Sequence, residues 1–266
     1  MKRSLRFLRC GALIGAGALL PGVSGGVLCV ALGVYAQIMA FLAHPLREGR
    51  AQWRMLLPLC LGFGLGVMLL SRLVAWLFAA DSTLAVWLFL GLIAGSMPAL
   101  WQESGKEGRT AGQLAAGAAA FAVMLLVLHT LRREGSQAVP LTTATWLLCG
   151  VLWGVGLVAP GLSPSSLFIF MGVYGPMSDA IARLSLPVLL PMAAGLGACV
   201  ALLSRGMNAL LARAYGWTMH PLMGIALASA AAIIPTPPAT LGMGLRCTAC
   251  FLAGLGAALM LNGKKE

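Results

Sequence analysis

The chain has 266 residues, 60% of them hydrophobic and 9% charged, with a mean hydropathy of +0.92. A soluble domain carries roughly a quarter charged residues, so lipid must meet much of this surface, and no connection between apolar runs is long enough for a soluble catalytic domain. The formal charge of +11 sits at the ends of apolar runs rather than on one basic face, which excludes nucleic acid as a partner and points to membrane lipids and their headgroups.

In chain order, Lys2, Arg3, Arg6 and Arg9 precede an apolar stretch in the manner of a secretory signal. The stretch that follows has a counterpart deep in the chain, so we assign it to the mature fold. Pro21-Gly22-Val23-Ser24-Gly25-Gly26-Val27-Leu28 runs on to Gly33-Val34-Tyr35. Pro160-Gly161-Leu162-Ser163-Pro164-Ser165-Ser166-Leu167 runs on to Gly172-Val173-Tyr174, with seven identities over the fifteen positions from each proline. A second block, Leu56 to Ala79, matches Leu189 to Ala212 at twelve of twenty-four positions, including Pro58/Pro191, Ser71/Ser204 and Arg72/Arg205. A fainter match pairs Gly91–Ser96 with Gly224–Ser229. Shared Pro, Gly, Ser and Arg do not come from apolar composition, so the chain is an internal duplication, with one repeat over 1–134 and the other over 135–266 in a single membrane domain.

Each repeat reads as a Pro-Gly-broken element followed by three apolar spans. These are Leu56–Ala79, Leu84–Leu100 and Ala111–Leu131, then Leu189–Ala212, Thr218–Ile234 and Leu245–Leu261, each near the roughly 17–25 residues that cross a bilayer. The first broken element, about Cys10 to Leu42, is shorter than the roughly 40 residues of two full crossings. Proline and glycine at its centre favour a re-entrant helical hairpin over two short tilted crossings. Three crossings per repeat then invert the second repeat relative to the first. The expected fold is an all-α integral membrane protein of two inverted repeats, each a re-entrant hairpin plus three transmembrane helices. With both termini cytoplasmic, the inner segments hold twelve Lys and Arg against four outside (Arg132, Arg133, Arg183, Arg246), as the positive-inside rule requires.

Irregular backbone at membrane depth must be buried in protein or line a polar cavity, and two symmetry-related copies of it point to a transporter binding site. Pro21 and Gly22, with Pro160 and Gly161, form the hairpin breaks; Ser24, Gly25 and Gly26 open the next half-helix, where free N–H groups attract an anion. In the second copy Pro164 replaces a glycine, and Ser163, Ser165 and Ser166 offer hydroxyls. Tyr35 and Tyr174 close the two motifs. The plainer reading is that the glycines serve close helix packing; the doubled Pro-Gly-x-Ser cluster favours phosphate binding. Arg72 and Arg205 lie inside their spans with no acid nearby in either, so a bound phosphate suits their bidentate guanidinium geometry; snorkelling to headgroups is the alternative. Asp179 is the acid closest to a motif. His129 and His220 sit near span ends, and Trp53, Trp87, Trp101, Trp146 and Trp217 are placed as an interfacial aromatic belt. Seven scattered cysteines read as buried thiols, with Cys247-x-x-Cys250 lacking a second ligand pair. No metal or cofactor motif is legible.

The doubled motif, together with Gly91–Ser96, resembles the DUF368 family over nearly the whole chain. That family includes bacterial polyprenyl-phosphate (undecaprenyl-phosphate) transporters. The resemblance implies recycling of the carrier lipid for cell-wall synthesis, with the lipid phosphate moved to the cytoplasmic leaflet of the bacterial inner membrane, and a coupling ion (proton or sodium) as a further partner. Where the family usually carries an acid, a threonine and a glycine, this chain has Ala18, Val27 and Pro164, and Ala36 and Gly175 follow the motif tyrosines. The rival class is an intramembrane lipid pyrophosphate phosphatase, an enzyme; hydrolysis needs acids with a nucleophile or base, and no span carries an Asp/Glu pair at helical spacing. The expected topology is checked by single cysteines at Asp81 and Glu103, which react with an impermeant thiol reagent from opposite sides; labelling of both from one side rejects it.

Overall fold

The computed structural model describes residues 2–20, 29, 32–34, 37–38, 41, 45–134, 139–159, 163–238 and 240–262. Among these, every regular element is a helix: α1 (Lys2–Leu19), α2 (Pro45–Ala80), α3 (Ser82–Ser104), α4 (Ala111–Glu134), α5 (Thr143–Val158), α6 (Ser165–Phe170), α7 (Tyr174–Ala182), α8 (Leu186–Arg213), α9 (Tyr215–Ala232) and α10 (Leu241–Asn262). Five are long and apolar enough to cross a membrane: α2, α3, α4, α8 and α10. The protein is therefore an all-helical membrane protein.

Local signals set the ends. Asp81 caps α3, its carboxylate accepting from the Thr83 and Leu84 amides at 2.9 and 3.1 Å, so α2 passes to α3 through one extended residue. The first span is longer than its apolar run. α2 continues back through Arg54, Arg50 and Arg47 to Pro45, with a non-helical Gln52 (φ −115°, ψ 17°) where the basic turn meets the apolar stretch. α9, expected as a span over Thr218–Ile234, stops at Ala232 and is not among the five. The sequence that follows, Pro235-Thr236-Pro237-Pro238, cannot continue a helix. α5, at 16 residues, is a shorter apolar helix of roughly 24 Å.

Four helix pairs make the frame: α1 with α2, α5 with α8, α3 with α10, and α4 with α9. Glycines bring the backbones together. A Cβ at Gly62 would collide with the Leu8 carbonyl of α1, and one at Gly195 with the Leu147 carbonyl of α5. Likewise Gly11 faces Leu59, and Gly150 faces Met192. These contacts fall at matching positions of the duplicated sequence. The same holds for Gly91 of α3 against Phe251 of α10 and Gly224 of α9 against Gly117 of α4. The latter two pairings join residues before 134 to residues after 135. With lipid on the outside, such close approach supplies van der Waals contact where no hydrophobic force acts between spans.

The main core lies where α3, α5, α6 and α7 meet, and includes Leu19, Val74, Phe89, Cys149, Phe168, Tyr174 and Met177. Tyr174 is almost fully buried; its ring packs edge-on against Phe78 and Phe89 at 5.6 Å, and its hydroxyl donates to the Leu19 carbonyl. α3 is the most enclosed of the five spans, and the others expose leucines such as Leu61, Leu69, Leu190 and Leu202 to the surroundings.

Alanine at Gly62 or Gly195 is expected to destabilise the folded protein by about 1–3 kcal/mol through overpacking against backbone. Alanine at Gly64 or Gly197, where a Cβ meets nothing within 4 Å, is expected to be neutral or slightly stabilising. Thermal unfolding in detergent, read by loss of the monodisperse peak, compares the four. Tyr174→Phe removes one donor from Leu19 and is expected to lower stability by about 1–2 kcal/mol in the same assay.

Candidate functional site

The second motif is built from a helix that stops and restarts. α5 ends at Val158; Pro160, Gly161 and Leu162 lie outside the described residues, and the chain resumes at Ser163 and Pro164 before α6. Ser165 and Ser166 stand at the first turn of α6, both buried. The Ser165 hydroxyl donates to the Leu19 carbonyl at 3.2 Å, on the same oxygen that Tyr174 meets. The Ser166 hydroxyl lies 3.2 Å from the Ser163 carbonyl, to which it donates, and 3.0 Å from the Ser229 hydroxyl of α9. Ser163 itself is only half-buried. Both α6 serines are thus bonded to protein groups, and Ser163 is the more open of the three expected phosphate contacts.

The Gly-Val-Tyr end of the motif has a backbone reason. Gly172 takes φ +72°, and the Val173 amide reaches back to the Phe168 carbonyl at 3.0 Å, closing α6 in a left-handed glycine cap. α7 then starts at Tyr174. Of the first motif, Pro21, Gly22, Ser24, Gly25, Gly26 and Tyr35 lie outside the described residues. Its end repeats the same cap: Gly33 has φ +69°, and the Val34 amide donates to Cys29 at 2.9 Å.

Arg72 stands away from these serines in the chain and opens into a groove of about 710 Å³ between α2 and α7. Its walls are Met68, Arg72, Ala75 and Trp76 from α2, with Asp179, Arg183 and Leu184 from the end of α7. Arg183 Nε donates to Asp179 Oδ1 at 2.9 Å. Arg72 has no ion-pair partner among the described residues. Ser71, next to Arg72 in the chain, and Ser178, next to Asp179, are fully buried, and their hydroxyls have no hydrogen-bond partner among the described residues. Each such group costs about 1–3 kcal/mol. Arg205 occupies the matching position of α8, exposed, and is not part of this groove.

The groove gathers residues that the motifs did not single out. Arg183 reads as an outer-loop charge in the sequence, although its i, i+4 spacing from Asp179 is visible there. Trp76 is one more apolar residue of a span, yet 64% of it is exposed beside Arg72. Ser229 is signalled only by the faint Gly91–Ser96 match. Two expectations change. His220 is completely buried instead of interfacial, with Nδ1 2.8 Å from the Gly216 carbonyl. Trp146 is also buried, packed into the core, whereas Trp53, Trp101 and Trp217 are exposed.

Comparison with known proteins agrees with this architecture. The VCA0040-like family model, described as undecaprenyl phosphate translocase-like, matches residues 1–113 and 47–243. A polyprenyl-phosphate transporter of Vibrio cholerae serotype O1 is 26% identical over 241 residues, covering 85% of this chain and 76% of that protein. No solved structure matches the chain. The matched ranges include both Pro-Gly-x-Ser motifs and both span arginines, and on that extent the chain belongs to the undecaprenyl phosphate translocase-like family.

Proposed function

We propose that this protein is a transporter that carries a polyprenyl phosphate of the undecaprenyl phosphate type across the bacterial cytoplasmic membrane, from the outer to the inner leaflet, without cleaving it. The observation that carries the reading is Arg72. It is a cation with no ion-pair partner among the described residues, set in an open groove whose other walls are mainly apolar. A phosphate on a long isoprenoid needs that combination, a guanidinium for its headgroup and an apolar flank for its tail. Membership of a translocase-like family and likeness to a polyprenyl-phosphate transporter support it.

In this reading residues 1–134 and 135–266 are two inverted repeats, each with a re-entrant broken hairpin, and both termini are cytoplasmic. Arg72 lies eight residues before the end of α2 (80 − 72), and Arg205 eight before the end of α8 (213 − 205). That is about 12 Å along each helix. Inversion then puts Arg72 towards the outer leaflet and Arg205 towards the inner one, one phosphate contact for each. Ser163, the most open hydroxyl of the second motif, and Ser24, Gly25 and Gly26 of the first are the further phosphate contacts of this reading, with a proton or sodium gradient as the driving force.

Undecaprenyl phosphate movement between leaflets of proteoliposomes tests this. Arg72→Gln and Arg205→Gln are each expected to lower the initial rate about tenfold or more, since a lost charged hydrogen bond is worth about 1.5–3 kcal/mol. Wild-type rates in both variants refute the phosphate assignment. Release of inorganic phosphate by the wild type makes the protein a phosphatase instead.

A further inference from the structure

The geometry assigns Asp179 a role as a displaceable counter-ion, one that holds Arg183 while the groove is empty and yields it to a phosphate monoester entering beside Arg72. This deepens the transporter reading and rests on it. Three charged side chains line the groove: Arg72 from α2, and Asp179 and Arg183 from α7. Their sum is one positive charge, which the carboxylate reduces from two.

The Asp179–Arg183 pair is built to exchange. Its side chains are 47% and 76% exposed respectively, and ion pairs so open to solvent contribute little stability. The recorded bond runs from Nε, one of the five N–H donors of a guanidinium. A phosphate offers stronger, charge-assisted and bidentate bonds to the same group. Because α7 holds Asp179 one turn before Arg183, the carboxylate remains at hand to take the guanidinium back when the headgroup leaves.

The apolar rim selects a lipid over a free anion. Met68, Ala75, Trp76 and Leu184 complete the wall. Leu184 adopts φ +54°, the left-handed region, where the Ser185 amide bonds to the Ala180 carbonyl at 2.9 Å. A glycine usually ends a helix in this way, and the left-handed region disfavours a leucine. Its side chain is 62% exposed, so core packing does not account for it. It presents an apolar surface at the mouth of the groove, beside the two arginines.

Binding of undecaprenyl phosphate to the full chain in lipid nanodiscs tests the exchange, with inorganic phosphate as a second probe. Asp179→Asn, and independently Asp179→Ser, are expected to tighten lipid binding about three- to fivefold. Turnover at saturating lipid should fall as release slows. Arg183→Gln weakens binding, and the Asp179→Asn/Arg183→Gln double variant binds no tighter than Arg183→Gln alone. Unchanged affinity in both Asp179 variants, or the same tightening in the Arg183→Gln background, overturns the exchange. If Arg72→Gln still weakens binding in that case, only the counter-ion role falls; if Arg72→Gln is silent too, the transporter's phosphate assignment falls with it. Equal tightening for inorganic phosphate shows a free-anion site and overturns the lipid selectivity.

Discussion

The last turn of a helix leaves carbonyl groups without intrahelical partners, and each is costly to bury unless another group donates to it. α1 stops at Leu19, just before the first Pro-Gly pair, and the Leu19 carbonyl receives both the Ser165 and Tyr174 hydroxyls. Those two residues belong to the second motif, 146 and 155 positions away. The end of α1 is thus bonded to the second motif, and the core of Phe78, Phe89, Phe168 and Met177 closes around the junction. Serine and tyrosine in the motif act first as structural donors, which is why both are buried. Ser163, half-buried at the edge of the loop, is the hydroxyl left nearest to an incoming ligand.

Around that junction the helices interlock. α3 packs on α10 and α9 on α4, so each half of the sequence places helices against the other half. The glycine crossings are backbone to backbone and have no slack for sliding. The contact of α2 with α7 is of another kind: it borders an open groove, and Ser71 of α2 and Ser178 of α7 are buried with hydroxyls that have no hydrogen-bond partner among the described residues.

The groove differs electrostatically from the motif loops. Its arginines sit one on a long span and one on a short helix, with a single carboxylate between the two roles of neutralising and releasing. An unpaired arginine at the edge of lipid is costly without a partner or water. Arg72 has no ion-pair partner among the described residues, whereas Arg183 has Asp179. The asymmetry follows from α7, which carries Asp179 in its last turn and is capped by Arg183 before Leu184 takes the left-handed turn.

The sequence by itself determined the solvent, the helical class and the duplication. Apolar runs of membrane length cannot be mistaken for soluble elements, and proline, glycine, serine and arginine recurring at fixed intervals outweigh composition. The reason for Gly33 and Gly172 came from the structure, where both take the left-handed turn that a glycine readily adopts. Span edges were legible to within a turn or so for α3, α4, α8 and α10. α2 ran longer because a basic, kinked turn extends its helix without contributing hydropathy. What only the tertiary structure decided was pairing: which residue meets the Leu19 carbonyl, which half each glycine packs against, that His220 and Trp146 are buried, and that Arg72 shares a groove with Asp179 and Arg183. In lipid nearly every span is apolar on all sides, so hydrophobic periodicity no longer marks the inward face. Partners are then chosen by close backbone fit and by single polar bonds, properties of two surfaces together that neither segment carries alone.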